Sequence, residues 1–494
     1  MNAEVVKQVR AAMAAGDVRT AETTARALTS QAPSADAYDL LASVLRAQDR
    51  LDEALAAADQ AVAYDPKNIV AQHSRAFILG RLGRYGEALP IYDQLVARGI
   101  AQAPLWLNRG MALLGLARDG EAEAVLADGV RRWPQNQGLL DALASTRWMR
   151  GAGASFARDY EEAVRRNPES IQLRLGCADL LRRADLRTQA EEMLREGLSR
   201  APQNGALLGS LGVVLDELNC TEEALPLLRS AVADAPQAPH VRGNLIVALL
   251  RLERSEEALR ELTPLRRAQP FYGDWIAYEE MALRQMNDSR AREICDYELM
   301  VQGFDLPAPN GYASIGAFNE ALTASLERLH VLETHPLDQS LRYGSQTTRS
   351  LLAVDDEVVK QYLRALEEPI RDYIASMQAP HHPWSGRKTD RFKLAGCWSV
   401  KLKAHGYHVN HLHPAGWISS AYYVSLPPVT KAGDSQEGWI KFGEPRWPTP
   451  KCVAEKLVQP KEGRLVLFPS YMWHGTIPFS EGERITAPFD VVPA

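Results

Sequence analysis

The chain has 494 residues, which is long enough for about three domains or for a repeat array joined to one further domain. Its apolar content of 46% and charged content of 24% are ordinary for a globular protein with a sizeable core. The net charge of −6, without a prominent Lys/Arg run, argues against a nucleic-acid partner. The sequence has no long apolar stretch and no signal-peptide core at its start, so we expect a cytoplasmic protein with no membrane partner.

The five cysteines are widely separated, and no Cys-x-x-Cys pair occurs among them. This spacing argues against a disulfide framework and against a cysteine-based zinc site.

A period of 34 residues runs through the first half of the chain. Prolines recur at intervals of 34 or twice 34, at Pro66, Pro134, Pro168, Pro202, Pro236 and Pro270. One slot of the series, at Ile100, lacks a proline. Twelve residues before the slots stand alanines: Ala54, Ala88, Ala122, Ala190, Ala224 and Ala258, with Phe156 as the exception. Small residues allow two helices to approach closely, and a proline ends the second helix before the next unit. The pattern predicts stacked helix pairs.

This 34-residue period resembles the tetratricopeptide repeat, a helix-turn-helix unit. About eight units cover residues 1–272, and a further helix over 274–286 is predicted to cover the last one. Such arrays stack into an α-solenoid whose concave face typically binds an extended peptide or another protein. The alternative is a spacer or a self-association surface.

The second half changes to a different pattern near residue 295. Segment 301–350 is predicted to be loop-like because prolines and glycines recur in it, and apolar residues at helical spacing predict a helix over 355–377. Short strands separated by turn residues follow, as an antiparallel sandwich or barrel requires. The predicted strands span 392–402, 411–426, 439–442, 464–468 and 484–492.

Seven of the eleven histidines follow residue 380, and three of them fit a metal site. His411 and His413 are two apart, so they would point to one face of a strand. His474 follows 63 residues after the first, and a third imidazole from a distant strand can complete a three-cornered set. His408 should point away from such a site, and His405, His381 and His382 are interpreted as polar surface residues.

Several segments together resemble the 2-oxoglutarate/Fe(II)-dependent oxygenases that bacteria carry behind tetratricopeptide repeats. They are HPLDQSLR (335–342), GSQT (344–347), HLHP (411–414), SSAYYV (419–424), GRLVLFPS (463–470) with His474, and RIT (484–486). The resemblance covers roughly 300–494 and implies a double-stranded β-helix, or jelly roll, that binds Fe(II) and uses 2-oxoglutarate as co-substrate. It maps His411 and His474 onto the two histidine ligands and Arg484 onto the cation for the far carboxylate of 2-oxoglutarate, with Thr486 beside it. Tyr423 is either a further hydrogen-bond donor to that carboxylate or a core residue.

The sequence departs from the usual ligand pattern at His413, where most members have Asp or Glu. Three interpretations remain open: a three-histidine site, a two-histidine site completed by water, or a carboxylate from Asp434 or Glu437 folding back. Alternation along a strand favours the first.

The resulting hypothesis is a multidomain α + β chain with a repeat domain at 1–294 and an oxygenase jelly roll at 295–494. It would hydroxylate a residue of a peptide or protein captured by the repeats, with His411, His413, His474 and Arg484 as its catalytic residues. Two alternatives stay open. One is an interaction scaffold with an inactive barrel, and the other is a three-histidine dioxygenase that does not use 2-oxoglutarate.

Overall fold

In the computed structural model, the described residues are 3–332, 334–337, 339–378, 382–431 and 435–494. They form two compact units, residues 1–147 and 148–494. The domain boundary between residues 294 and 295 stays a prediction. No described helix is long and apolar enough to cross a membrane.

The first half consists of antiparallel helix pairs, as the 34-residue period predicts. The helices are α1 (Ala3–Ala14), α2 (Val18–Gln31), α3 (Ala35–Ala47), α4 (Leu51–Tyr64), α5 (Ile69–Arg81), α6 (Tyr85–Ala97), α7 (Ala103–Gly115), α8 (Asp119–Arg132), α9 (Gln137–Met149), α10 (Arg158–Arg166), α11 (Ile171–Arg183), α12 (Arg187–Arg200), α13 (Gly205–Glu217), α14 (Thr221–Asp234), α15 (Pro239–Arg251), α16 (Ser255–Ala268) and α17 (Gly273–Gln285). Helix α17 is the predicted covering helix.

Close contact between paired helices also explains the small residues Gly110 and Gly212, which stand 102 residues, or three periods of 34, apart. A β-carbon at Gly110 would lie 2.7 Å from the Leu126 side chain, and one at Gly212 would lie 2.8 Å from Leu228. Larger residues at these positions would force the helices of each pair apart.

The unit that contains Phe156 is irregular. Its second helix, α10, has only nine residues and follows a short 3₁₀ turn over Gly153–Ser155. Phe156 is buried and packs edge-on against Trp148, with ring centroids 5.3 Å apart. The indole N–H of Trp148 donates to the carbonyl of His335 at 2.9 Å, so this unit contacts the segment that precedes the first long strand.

Short helices surround the β domain. They are α18 (Arg290–Ile294), α19 (Tyr297–Met300), α20 (Ile315–Glu327), α21 (Glu357–Ala365), α22 (Glu367–Ser376) and α23 (Pro428–Lys431), with a 3₁₀ turn at Leu351–Ala353. The loop-like prediction for 301–350 was wrong, because α20 and two strands lie there. The helix predicted over 355–377 is divided at Leu366, where Pro369 cannot donate a backbone hydrogen bond to the preceding turn.

All strand pairs are antiparallel. The strands are β1 (Gln302–Asp305), β2 (Leu341–Gln346), β3 (Phe392–Cys397), β4 (Val400–His408), β5 (Ile418–Ser425), β6 (Ile440–Phe442), β7 (Lys456–Val458), β8 (Arg464–Pro469), β9 (His474–Thr476), β10 (Arg484–Thr486) and β11 (Phe489–Pro493). One sheet runs β1-β8-β5-β10-β4-β2, with β11 joining β5 to β3, and a second runs β7-β6-β9. The fold class, an α-solenoid followed by an antiparallel jelly-roll domain, is confirmed.

The two faces of β5 have different roles. Tyr422 faces helices α20 and α21, where its hydroxyl donates to Asn319 at 2.8 Å and its ring packs 5.0 Å from that of Tyr362. Tyr423, its neighbour, faces the opposite side and lines a cavity. The large core therefore covers one side of the main sheet and leaves the other side for a site.

Candidate metal centre

His411 and His474 are brought together by backbone pairing between distant segments. The N–H of His411 donates to the carbonyl of His474 at 2.8 Å, and the N–H of His474 donates to the carbonyl of His411 at 2.9 Å. Directly opposed residues of an antiparallel bridge have side chains on one face. The ring centroids are consequently only 4.2 Å apart.

Glycine follows His474 because another chain segment lies against it. A β-carbon at Gly475 would stand 2.2 Å from Oδ1 of Asn410 and 3.0 Å from the carbonyl oxygen of His408. This position therefore excludes any larger side chain if the bridge is to form.

His413 reaches the same place by a route other than strand alternation. The strand β5 begins only at Ile418, so 411–413 is not part of it, and the predicted strand start at 411 was wrong. The N–H of His413 instead donates to the carbonyl of Ser470 at 2.9 Å, which turns the chain. Its ring centroid lies 5.2 Å from that of His411 and 5.4 Å from that of His474.

Ligand atoms of these three imidazoles all lie within 4.8 Å of one another, and no other such group occurs among the described residues. Each Nδ1 faces an acceptor: the carbonyl of Val409 for His411, the carbonyl of Met472 for His474, both at 2.9 Å, and a carboxylate oxygen of Asp490 for His413 at 2.6 Å. Because these groups only accept, each Nδ1 carries a proton, and Nε2 is the nitrogen of each ring that is left to face a metal ion.

Burial keeps two of the three imidazoles neutral. It lowers the pKa of His411 to about 3, an effect to which the nearby His413 adds, and it holds the pKa of His474 well below its ordinary value. A neutral imidazole with a free lone pair is the form that binds a metal ion. The donor set therefore fits a divalent transition metal such as Fe(II).

Asp490, on β11, supplies the carboxylate that the ligand positions themselves lack. Its second oxygen accepts a hydrogen bond from the hydroxyl of Ser419 at 2.7 Å, which fixes the side chain behind His413. A carboxylate–histidine pair of this kind orients the ring and makes its other nitrogen more basic. The sequence analysis did not identify Asp490. The one signal in the sequence was its position on the strand that follows the strand of Arg484.

His408 differs from its prediction, because it lines the same cavity as the other three imidazoles. The hydroxyl of Ser340 lies 2.9 Å from Nδ1 of His408 and 3.2 Å from Nε2 of His411, and so connects the two rings. Strand β4 ends at His408, so the alternation on which the prediction rested stops there. His405 has a left-handed backbone (φ 65°) and is exposed, as interpreted from the sequence. His381 lies outside the described residues.

The alternative carboxylate ligands have different outcomes. Glu437 accepts hydrogen bonds from both the N–H and the hydroxyl of Ser480, at 2.6 and 2.8 Å, and is not part of the histidine group. Asp434 lies outside the described residues, as does Asp338 of the resembling segment.

Arg484 and Tyr423 carry polar atoms for which the described residues offer no partner. Arg484 is 2% exposed, and one terminal nitrogen donates to the carbonyl of Gly438 at 2.9 Å, but its Nε has no acceptor. The hydroxyl of Tyr423 is also buried without a partner. Burial raises the pKa of this phenol to about 12, against the opposing effect of Arg484, so it remains a hydrogen-bond donor.

These two groups lie on adjacent strands and face one cavity. Thr486 of β10 is the register partner of Tyr423 of β5, and Arg484 is two residues away on the same strand. All three residues line a cavity of about 540 Å³ together with the three histidines. A buried cation without a counter-ion is unfavourable, so the arrangement suits an anion such as the carboxylate of 2-oxoglutarate.

Polar residues of the resembling segments 335–342 and 344–347 line the same cavity. They include Gln339, Arg342 and Gln346, whereas Thr347 is buried and accepts from the N–H of Ser399. Among the described lining residues there are five arginines, Arg182, Arg183, Arg342, Arg446 and Arg484, and no carboxylate. Cationic side chains therefore outnumber anionic ones among the described residues that line the cavity.

A second cavity, of about 600 Å³, lies along the repeat helices of the 148–494 unit. It is lined by residues of α11, α13, α14, α15 and α17 and by the loop 445–449 of the β domain. Two of its lining residues, Arg182 and Arg446, also line the histidine cavity, so the two adjoin. Trp447 and Trp473 line this groove, whereas Trp417 is a core residue whose N–H donates to Trp384.

Comparisons with known proteins agree with both halves. Residues 396–490 match the family described as "Putative 2OG-Fe(II) oxygenase". Residues 6–69, 76–137 and 175–239 match one tetratricopeptide repeat family, and 221–278 match another. No curated protein matches the sequence.

Two solved structures are similar to parts of the chain. A tetratricopeptide repeat protein from Parabacteroides merdae is 20% identical with a TM-score of 0.35, over 50% of this chain and 98% of that one. A prolyl-4-hydroxylase from Pseudomonas putida is 16% identical with a TM-score of 0.29, over 40% of this chain and 96% of that one. At TM-scores this low, neither likeness bears on function. The family matches show that the chain carries tetratricopeptide repeats followed, at its C-terminal end, by a domain of the 2OG-Fe(II) oxygenase family.

Proposed function

We propose that this protein is an Fe(II)- and 2-oxoglutarate-dependent oxygenase that hydroxylates a residue of a peptide or protein held by its repeats. The observation that carries the proposal is the buried guanidinium of Arg484, whose Nε lacks a partner in the cavity that also contains three convergent imidazoles. A metal site alone would explain the histidines and leave this buried cation unexplained.

His411, His413 and His474 would hold the ion through their Nε2 atoms. Arg484 would bind the far carboxylate of 2-oxoglutarate, the hydroxyl of Tyr423 would donate to the same carboxylate, and Thr486 would lie beside it. When bound, iron and 2-oxoglutarate supply, with dioxygen, the oxidising power for inserting oxygen into an unactivated C–H bond, with release of succinate and carbon dioxide. The residues of the chain orient these groups and exclude water from them.

The adjoining groove supports a peptide or protein as the substrate. A solenoid groove that opens into a catalytic cavity raises the local concentration of the segment to be modified. The oligomeric state plays no part in this proposal.

Succinate release is the first test. The variant His474→Ala removes a proposed ligand and should abolish 2-oxoglutarate-dependent succinate release, whereas His405→Ala, an exposed histidine outside the cavity, should not change it. Release that survives His474→Ala would contradict the proposed site.

Spectroscopy separates the co-substrate from the metal. Adding 2-oxoglutarate to the anaerobic Fe(II) protein should give a visible charge-transfer band, and Arg484→Ala should require much more 2-oxoglutarate for the same band. Oxygen uptake that is independent of 2-oxoglutarate, without a band, would instead favour the three-histidine dioxygenase. Intact peptide binding without either activity would favour the scaffold.

A further inference from the structure

Several arginines lie at the junction between the groove and the histidine cavity. Five arginines meet there, and we name them the arginine cluster: Arg182, Arg183, Arg187, Arg342 and Arg446. Three carboxylates, Asp179, Asp185 and Glu217, pair with members of this cluster. Four of the five arginines pair with these carboxylates, and within the described part of the chain Arg446 does not.

The pairing uses the available carboxylate oxygens. Glu217 accepts from Arg182 at 2.7 Å with one oxygen and from Arg187 at 3.1 Å with the other. Asp185 accepts from Arg187 at 2.6 Å with one oxygen and from Arg342 at 3.1 Å with the other. Both oxygens of each acid therefore already accept from an arginine of the cluster.

Arg446 is the exposed member of the cluster, and it has no hydrogen bond or ion pair within the described part of the chain. Its guanidinium carbon lies 5.1 Å from the centroid of the Trp447 ring, and that of Arg187 lies 4.8 Å from the same ring. Stacking on an aromatic face restricts the orientation of a guanidinium while leaving its N–H groups available. The group is thus held at the point where the two cavities meet.

The groove next to Arg446 offers hydrogen-bonding groups that the fold does not use. The Asn244 amide of α15 and the Ser210 hydroxyl of α13 line it and have no partner among the described residues. An amide that both donates and accepts is complementary to a peptide backbone, and Val213 and Tyr278 add apolar surface beside it.

We propose that the segment held in the groove contains an Asp or Glu near the modified residue, and that this carboxylate binds Arg446. That the bound segment is modified rests on the proposed function, whereas its binding to Arg446 does not. A planar guanidinium binds a carboxylate through two parallel hydrogen bonds. The described residues that line the histidine cavity include no carboxylate, whereas Asp179, Asp216, Glu217 and Asp234 line the groove, so the acidic side chain is placed at the junction and not along the groove.

The test is selection from a synthetic peptide pool whose randomised positions include Asp, Glu, Lys and phosphoserine. The full-length protein is immobilised, and bound peptides are identified by mass spectrometry. The wild type should enrich Asp or Glu about two- to fivefold at one position, as expected for an exposed charged pair. Arg446→Ala should abolish this enrichment, and Arg446→Glu should replace it with enrichment of Lys.

The matched control is Lys403→Glu, which makes the same change of charge at an exposed residue of β4 that lines neither cavity. It should leave the acidic preference unchanged. Absence of bound peptides, absence of an acidic preference, an equal loss in the control, or a preference for phosphoserine over Glu would each overturn the proposal.

Incubating the bound pool with Fe(II), 2-oxoglutarate and dioxygen separates the two claims. Acidic peptides that bind but gain no oxygen would mean that the proposed function fails while recognition by Arg446 stands. Peptides that gain oxygen without any acidic preference would mean the reverse.

Discussion

Removing the negative charge behind His413 is predicted to weaken metal binding without unfolding the protein. The variant Asp490→Asn keeps the size of the side chain that contacts Nδ1 of His413 at 2.6 Å and the hydroxyl of Ser419 at 2.7 Å. A hydrogen bond to a charged group contributes about 1.5–3 kcal/mol, and loss of such a partner behind a metal-bound histidine typically weakens affinity 10- to 100-fold. We expect a loss in this range, which corresponds to about 1.4–2.7 kcal/mol.

Titration with Co(II), followed by its visible absorption, measures this affinity directly. Asp305→Asn is the control, because Asp305 also makes charge-assisted contacts, to Arg464 and Lys461, but does not line the histidine cavity. An affinity within twofold of the wild type for Asp490→Asn, in a protein of unchanged circular dichroism, would refute this account of Asp490.

The same reasoning predicts a non-additive pair. His413→Asp would place a second carboxylate against Asp490, so the single variant should bind Co(II) weakly because the two like charges repel. Adding Asp490→Asn should restore part of the affinity. If the double variant binds no better than His413→Asp alone, the two side chains do not interact as the structure indicates.

Three further predictions concern the co-substrate, packing and pH. Arg484→Lys should raise the KM for 2-oxoglutarate in the succinate assay at least about tenfold, because an ammonium group cannot donate two parallel hydrogen bonds to a carboxylate. The affinity for Co(II) should not change. An unchanged KM would count against the role of Arg484. Gly273→Ala should lower the free energy of unfolding by about 1–3 kcal/mol, because the new β-carbon would lie 2.9 Å from the Cα of Pro414. Urea unfolding measures this loss. The control Gly86→Ala should not destabilise the protein, because no atom lies within 4 Å of its new β-carbon. Burial raises the pKa of the Asp274 carboxyl from 3.8 to about 6, so the folded state binds its proton more tightly than the unfolded state does. The free energy of unfolding should therefore fall by about 1–2 kcal/mol as pH rises from about 4 to 6. Asp274→Asn should remove that part of the decline in urea unfolding measured at several pH values, and an unchanged pH profile would show that the carboxyl is not buried as described.

The repeat half follows from the sequence because its contacts are local and periodic. Small residues three periods apart meet equivalent leucines of the paired helix, as Gly110 meets Leu126 and Gly212 meets Leu228, so a fixed spacing encodes a fixed packing. The irregular unit was also visible in the sequence, as the exception at Phe156, although its contact with the segment at His335 was not.

The β half was predicted less completely because short strands carry little information about their partners. Strand β2 was assigned to a loop, since nothing in its sequence shows that it pairs with β4. His411 and His474 were identified as a pair from residue type and order, but their convergence arises from mutual backbone hydrogen bonds across 63 residues of chain.

The sequence by itself determined the repeat array, the antiparallel class of the second half, and the candidate set of three histidines with Arg484. Only the tertiary structure decided that Asp490 lies behind His413 and that Arg446 lies where the groove meets the cavity. Residue type and spacing report chemistry and local periodicity, whereas these last two placements depend on how distant segments pack, which no local pattern encodes.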